Sequence, residues 1–296
     1  MPDRFTPRVV LSCLAGSALA FTACQRVEEQ GGLAEAEALL RVLDYGEAQK
    51  RLEQFQPELA AESPQGARTR YALMLATWHA SPASEASLFA AETLARELIA
   101  TPQLEATLRA RVQLDLARML EVMDYAADVV DVAQARALYR EVAAQAPQPA
   151  LRYEAVIRLA NTHRKELARE ANVTAAQILR EFLETAPPEA LWSAVAWQVL
   201  GDIYGDHLAD YRRALEAYQA AWELGFANQN DVDLYVYKMA RWAEETAQPA
   251  RALELFTVIA GEMPLSTYQS LARQRIVELG GTPPAANWLT GGGMQP

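Results

Sequence analysis

"AWQVLGDIYGDHLADYRRALEAYQAAWELG", residues 196–225, carries His207, the carboxylates Asp202, Asp206 and Asp210, and two tryptophans, Trp197 and Trp222. Those residue types in so short a span suit either a site of chemistry or one unit of a scaffold. Spacing decides between them. Trp197, Leu200-Gly201 and Tyr204 recur at three- and four-residue steps, the period of one helix face. Ala214 and Tyr218 stand one turn apart on a second helical stretch. A small residue on the apolar face of the first helix lets a second helix come close, so the stretch reads as a helical hairpin.

The same signature recurs along the chain, and a fixed period decides an architecture. A Leu followed by a small residue occurs at Leu75-Ala76, Leu116-Ala117, Leu159-Ala160 and Leu200-Gly201, with Met239-Ala240 as a fifth copy. The steps are 41, 43, 41 and 39 residues. A second series sets an Ala, an apolar residue four later and a Pro about twelve later. It contains Ala135, Tyr139 and Pro147; Ala175, Leu179 and Pro187; and Ala252, Phe256 and Pro264, with Ala214 and Tyr218 lacking only the Pro. Weaker copies begin at Ala48 (Leu52, Phe55, Pro57) and Ala90 (Leu94, Pro102). The Pro ends the second helix of each unit because it cannot extend the hydrogen-bond ladder. The expectation is an all-α, right-handed α-solenoid of about six hairpins over residues 33–280, closed by a capping helix in "STYQSLARQRIVEL".

Trp197-x2-Leu200-Gly201-x2-Tyr204 followed by Ala214-x3-Tyr218 resembles the tetratricopeptide pattern, with one residue more between its helices than the 34-residue form. "ADYRRALEAYQAAWELG" also resembles a Sel1-like repeat. The resemblance is specific here and around Ala252, and degenerate toward the N-terminus. It implies a protein that binds other proteins along the groove lined by the first helix of each hairpin.

The ends read differently. Arg4 and Arg8 precede "VVLSCLAGSALAFTA", an apolar run shorter than the roughly 20 residues a membrane span needs. It suits an export signal over residues 1–23. The run stops at "FTAC", which resembles the bacterial lipobox and implies lipidation at Cys24, with Phe21 where the pattern prefers Leu. Gln25, a residue other than Asp after that Cys, implies an outer-membrane address facing the periplasm. Residues 24–32 would be a short tether, and 281–296, rich in Gly and Pro and containing Trp288, a disordered tail.

Chemistry is harder to find. No phosphate-binding loop, H-E-x-x-H or G-x-S-x-G occurs. His79 and His163 each lie four residues after a signature Leu, the place of Tyr204, and so read as half-buried ring residues between helices. His163 and Glu166 share a helix face but lack the third and fourth ligands a metal needs. His207 with Asp202, Asp206 and Asp210 falls where two helices are joined, and its spacing is not that of a calcium loop. With a formal net charge of −11, the chain is a poor nucleic-acid binder.

No enzyme, cofactor or metal is expected. The groove residues expected from position are Arg70, Arg111, Arg118, Asn161, Arg164, Lys165, Gln198, Asp202, Tyr237 and Arg241. They suit contact with other envelope proteins or, as an alternative, an acidic polysaccharide or carboxylate-terminated peptide held by arginine forks. Lipoproteins of this look serve in exopolysaccharide secretion, outer-membrane assembly and cell-wall enzyme recruitment, and the resemblance does not choose among them.

Overall fold

The structure is a computed structural model that describes residues 32–55, 63–121, 131–185 and 190–285. Every regular element among them is helical. In chain order these are α1 (32–41), α2 (Tyr45–Phe55), α3 (Pro64–His79), α4 (Glu85–Ala100), α5 (Ala106–Glu121), α6 (Val132–Gln145) and α7 (Pro149–Arg164). There follow α8 (Arg169–Thr185), α9 (Ala190–Asp202), α10 (Tyr211–Leu224), α11 (Val232–Glu245), α12 (Pro249–Glu262) and α13 (Gln269–Glu278). Sequential helices pack as antiparallel pairs, α3 on α4, α5 on α6, α9 on α10 and α11 on α12, with α13 laid on α12. That is the α-solenoid of helical hairpins with a capping helix that the period implied. By compactness the chain divides into two units, residues 1–151 and 152–296.

The repeat register holds where the sequence was clearest. Ala135, Tyr139, Ala175, Leu179, Ala214, Tyr218, Ala252 and Phe256 are all fully buried, as are Ala48 and Leu52. In α4 the register differs by one residue. Ala90 is exposed and Leu94 only half-buried, while Leu88, Ala91, Ala95 and Leu98 face inward. An Ala at the position four later, where the other copies hold a large residue, hides the true phase. The prolines fall where expected: Pro102, Pro147 and Pro264 each stand two residues beyond the end of a second helix. Other prolines open helices, Pro64 in α3 and Pro249 in α12, where the missing N–H has no intrahelical partner to lose.

Helix starts are capped by short polar side chains. Ser63 Oγ accepts from the Gly66 amide at 2.9 Å, Asp131 Oδ1 from Gln134 at 2.9 Å and Asp210 Oδ1 from Arg213 at 3.2 Å. Ser84 and Ser87 cap one another reciprocally at α4. The turns within hairpins end their first helices in left-handed residues. At Leu43 and Ala247, with φ of 63° and 55°, the next amide reaches back five residues: Asp44 to the Leu39 carbonyl (3.0 Å) and Gln248 to that of Ala243 (2.8 Å). This is the Schellman closure that glycine usually makes; Leu and Ala there cost about 1–2 kcal/mol each.

Residues 203–207, expected as part of a loop, form instead a single π-helical turn continuing α9, closed by Leu208 N–H donating to the Ile203 carbonyl at 3.0 Å. The extra residue of this unit is thus absorbed inside the helix and not in the connection. On the same helix, a Cβ built on Gly201 would lie 2.2 Å from the Tyr218 ring, and one on Gly205 would lie 2.1 Å from Trp242. These are the close approaches the small residues permit.

Gly201→Ala should therefore lower the unfolding midpoint by the equivalent of about 1–3 kcal/mol, the usual cost of overpacking. Gly46→Ala, in α2 with nothing within 4 Å of its Cβ position, should raise stability by about 0.5–1 kcal/mol. Urea titration followed by circular dichroism distinguishes the two.

Candidate functional site

In the first unit, the polar centre is Asp115 on α5. Its side chain is almost fully buried, and it accepts from Tyr71 OH (2.8 Å, α3) and from Arg118 Nη1 (3.0 Å). Burial pushes the Asp115 carboxyl up more than those two donors and the nearby Arg111 charge pull it down. Burial, reinforced by the Asp115 charge, pushes the Tyr71 phenol well above its ordinary range. Arg118 also lies over the Trp78 ring, 5.0 Å from its centroid. Trp78 in turn packs on His79 (4.3 Å between centroids), which packs on Tyr45 (5.0 Å). His79 was expected half-buried between helices; it lies at the exposed C-terminal end of α3, flanked by rings, its pKa lowered by burial and then by Arg118.

Beside this centre lies a groove of about 880 Å³ lined by the first helices of three successive hairpins, α1, α3 and α5, and by the α4–α5 turn. Its floor is Leu40, Ala67, Ala72, Leu75, Leu104 and Leu108. Leu75 is one of the signature leucines. Its counterparts Leu116, Leu159, Leu200 and Met239 are buried, but Leu75 is only half-buried and faces this groove. The charged rim is unequally engaged. Arg68 pairs with Glu37 at 2.7 Å, and Glu105 caps α5 by accepting from Thr107 N–H (2.8 Å) and Leu108 N–H (3.0 Å). Hydrogen bonds from Thr107 hold the Glu105 carboxyl below its usual range. Arg41 and Arg111, both exposed on the rim, form no ion pair with a described residue.

In the second unit Asp202, at the end of α9, is the hub. It accepts from Tyr218 OH at 2.6 Å and Lys238 Nζ at 2.9 Å, with Arg164 Nη1 at 3.9 Å. Lys238 reaches Asp206 as well (2.7 Å) and sits 5.9 Å from the centroids of both Tyr218 and Trp242. Burial alone would lower the Lys238 pKa; the two carboxylates outweigh it and raise it. A lysine between Asp202 and Asp206 fills the place a cation would take. Among the described residues no group of three His, Cys, Asp or Glu could hold a metal ion.

The ten expected groove residues thus do different things. Arg70 and Arg111 are available in the first unit, whereas Arg118 is held by Asp115. In the second unit Arg164 leans on Asp202, and Arg241 pairs with Glu244 (3.4 Å) and Glu245 (3.8 Å) along its own helix. Tyr237 is stacked flat on Tyr268, 4.4 Å between centroids. Asn161 and Gln198 are half-buried, and Lys165 is exposed. Sequence position missed Arg41, Tyr71, Asp115 and Lys238. Lys238 had one visible signal, its place directly before the Met239-Ala240 pair.

No known family matches the chain, and no curated protein matches it either. Among solved structures it is similar to PilF of Pseudomonas aeruginosa at 14% identity, with 84% of this chain and 98% of that one covered and a TM-score of 0.53. It is also similar to Acl4, an assembly chaperone of RpL4, at 18% identity over 84% and 97% of the two chains, with a TM-score of 0.48. At these identities the likeness is one of fold. The chain has an all-α solenoid fold of helical hairpins.

Asp115 yields a pH test. Its folded pKa is raised above the unfolded value, so its stabilising contribution is fully present below about pH 4 and lost as pH rises through the folded pKa. Asp115→Asn should therefore gain stability relative to the parent as pH is raised from 4 to 8. Urea midpoints across that range check it; a constant difference would show that Asp115 ionises as freely as in the unfolded chain.

Proposed function

We propose that this chain is a non-catalytic interaction scaffold, anchored by lipid at Cys24 to the outer membrane and facing the periplasm, that holds other envelope proteins together. The observation that carries the scaffold reading is the first-unit groove. Three successive hairpins turn apolar side chains, Leu75 among them, toward a groove that the described residues leave open. An apolar surface of that kind is stabilised by a partner that covers it. The polar centres at Asp115 and Asp202, by contrast, are satisfied internally and rigidify the hairpins that line such surfaces.

The anchor and address rest on the sequence of residues 1–25, which lie outside the described residues, as does Trp288 of the tail. No helix among the described residues is long and apolar enough to cross a membrane. A single anchoring chain at Cys24 would supply about 0.8 kcal/mol per buried methylene. An acidic polysaccharide is the second reading, favoured by Arg41, Arg70 and Arg111, which form no ion pair with a described residue, though it would leave the apolar floor unused.

Two measurements test this. Cys24→Ser should move the protein from the membrane pellet to the soluble periplasmic fraction; unchanged pelleting would refute the lipid anchor. In-cell crosslinking followed by capture should recover a small set of envelope proteins in near-stoichiometric amounts. Recovery of polysaccharide without protein would move the assignment to the second reading.

A further inference from the structure

The groove in the first unit has a composition that narrows its occupant. Its floor is aliphatic, and the charges on its rim differ in whether a described residue pairs with them. Glu37 is spent on Arg68, and Glu105 is spent on the amides that open α5. What remains is positive, Arg41 at the end of α1 and Arg111 on α5, both lining the groove that Leu75 faces. Beyond Arg41 the turn continues in Val42 and Leu43, 72% and 68% exposed, so the apolar surface extends past the groove on that side.

A neutral apolar occupant would leave both guanidinia without a partner. A polysaccharide would leave the half-buried Leu75 and Leu108 facing water or hydroxyls, at a loss of about 25 cal/mol for each Å² not buried. A segment that alternates apolar side chains with carboxylates satisfies both requirements, because arginine forks pair with carboxylates while the stems and floor bury aliphatic groups. The chain as a whole, net −11, would repel such a segment elsewhere and so favour its placement at a positive rim.

We propose that the α1/α3/α5 groove is the docking site for an acidic, apolar peptide segment of a partner protein, with Leu75 and Leu108 taking its apolar side chains and Arg41 and Arg111 its carboxylates. This rests on the scaffold reading above and specifies the partner's chemistry at one groove.

The probe is a set of synthetic twelve-residue fluorescent peptides, titrated into the purified full mature chain and read by anisotropy. One peptide interleaves Leu and Phe with Glu and Asp, a second replaces the acids with Lys, and a third keeps the acids but replaces the apolar residues with Ser. The expected result is binding of the first alone, weakened at least tenfold by Arg41→Glu with Arg111→Glu and weakened again by raising salt from 50 to 300 mM. Neither arginine forms an ion pair with a described residue, but the Arg111 charge favours the buried Asp115 carboxylate. Arg41→Glu alone, which touches no such centre, should therefore keep the circular dichroism and melting midpoint and still weaken binding of the first peptide. The charge-reversed variant, with its circular dichroism retained, should gain affinity for the Lys peptide. Equal binding of acidic and basic peptides, binding unaffected by the double variant, or tight binding of the Ser peptide would each overturn the proposal. If the double variant still captured the same envelope proteins in cells, the scaffold reading would stand and this groove would not be its site.

Discussion

The structure depends on how closely two helices can approach, and the Gly201–Tyr218 contact states that constraint in its sharpest form. With no Cβ at residue 201, the Tyr218 ring lies against the α9 backbone, and a methyl group there would overlap it at 2.2 Å. Approach at that distance buries the phenol, and a buried hydroxyl needs a partner. Asp202, one residue on from the glycine, provides it at 2.6 Å. A half-buried carboxylate that accepts this bond is in turn held by cations, which Lys238 and Arg164 supply from the hairpins on either side. One small residue thus commits four further side chains, and the hairpin is tied to its neighbours by polar bonds as well as by packing.

The first unit solves the same problem with other residues. There the tyrosine is Tyr71 on the first helix of one hairpin and the carboxylate is Asp115 on the first helix of the next. The arginine that completes it, Arg118, comes from the carboxylate's own helix and packs on Trp78. The recurrence of a tyrosine–carboxylate–cation centre in both units, built from unrelated repeat positions, follows from the packing geometry and not from copying of a motif. Each centre uses up polar groups that would otherwise be candidates for ligand binding.

That accounting explains which parts were legible in the sequence. The fold was, because small and large apolar residues at helical spacing report local contacts that repeat about every forty residues; Ala135/Tyr139, Ala214/Tyr218 and Ala252/Phe256 all point inward as their spacing required. The exception, Ala90 read for Ala91, arose where Ala95 replaced a large residue and removed the phase marker. The π-turn at Ile203–His207 was visible only as one surplus residue, which a sequence cannot assign to a helix or to a loop. The site was much less legible. Tyr71 and Asp115 are 44 residues apart and Lys238 and Asp202 are 36 apart, so their pairing depends on how hairpins stack. Arg118 and Arg164 stand at positions that face a groove by register, yet neighbouring carboxylates claim them.

Availability, then, is a property of what remains after the internal polar groups are matched. The repeat places arginines on the first helices of several hairpins; the tertiary pairing engages some, while Arg41, Arg70 and Arg111 in the first unit form no ion pair with a described residue. Leu75 completes the same argument for apolar surface. Its four counterparts are consumed by the core, and it alone among the signature positions is turned toward open space, where Ala72, Leu73, Met74 and Ala76 of α3 already fill the interior. A solenoid whose every hairpin obeyed its repeat perfectly would bury all five signature residues and pair its rim. The departure from the repeat at α3, coinciding with cations on α1 and α5 that no described residue pairs with, is what distinguishes one stretch of this scaffold from the rest.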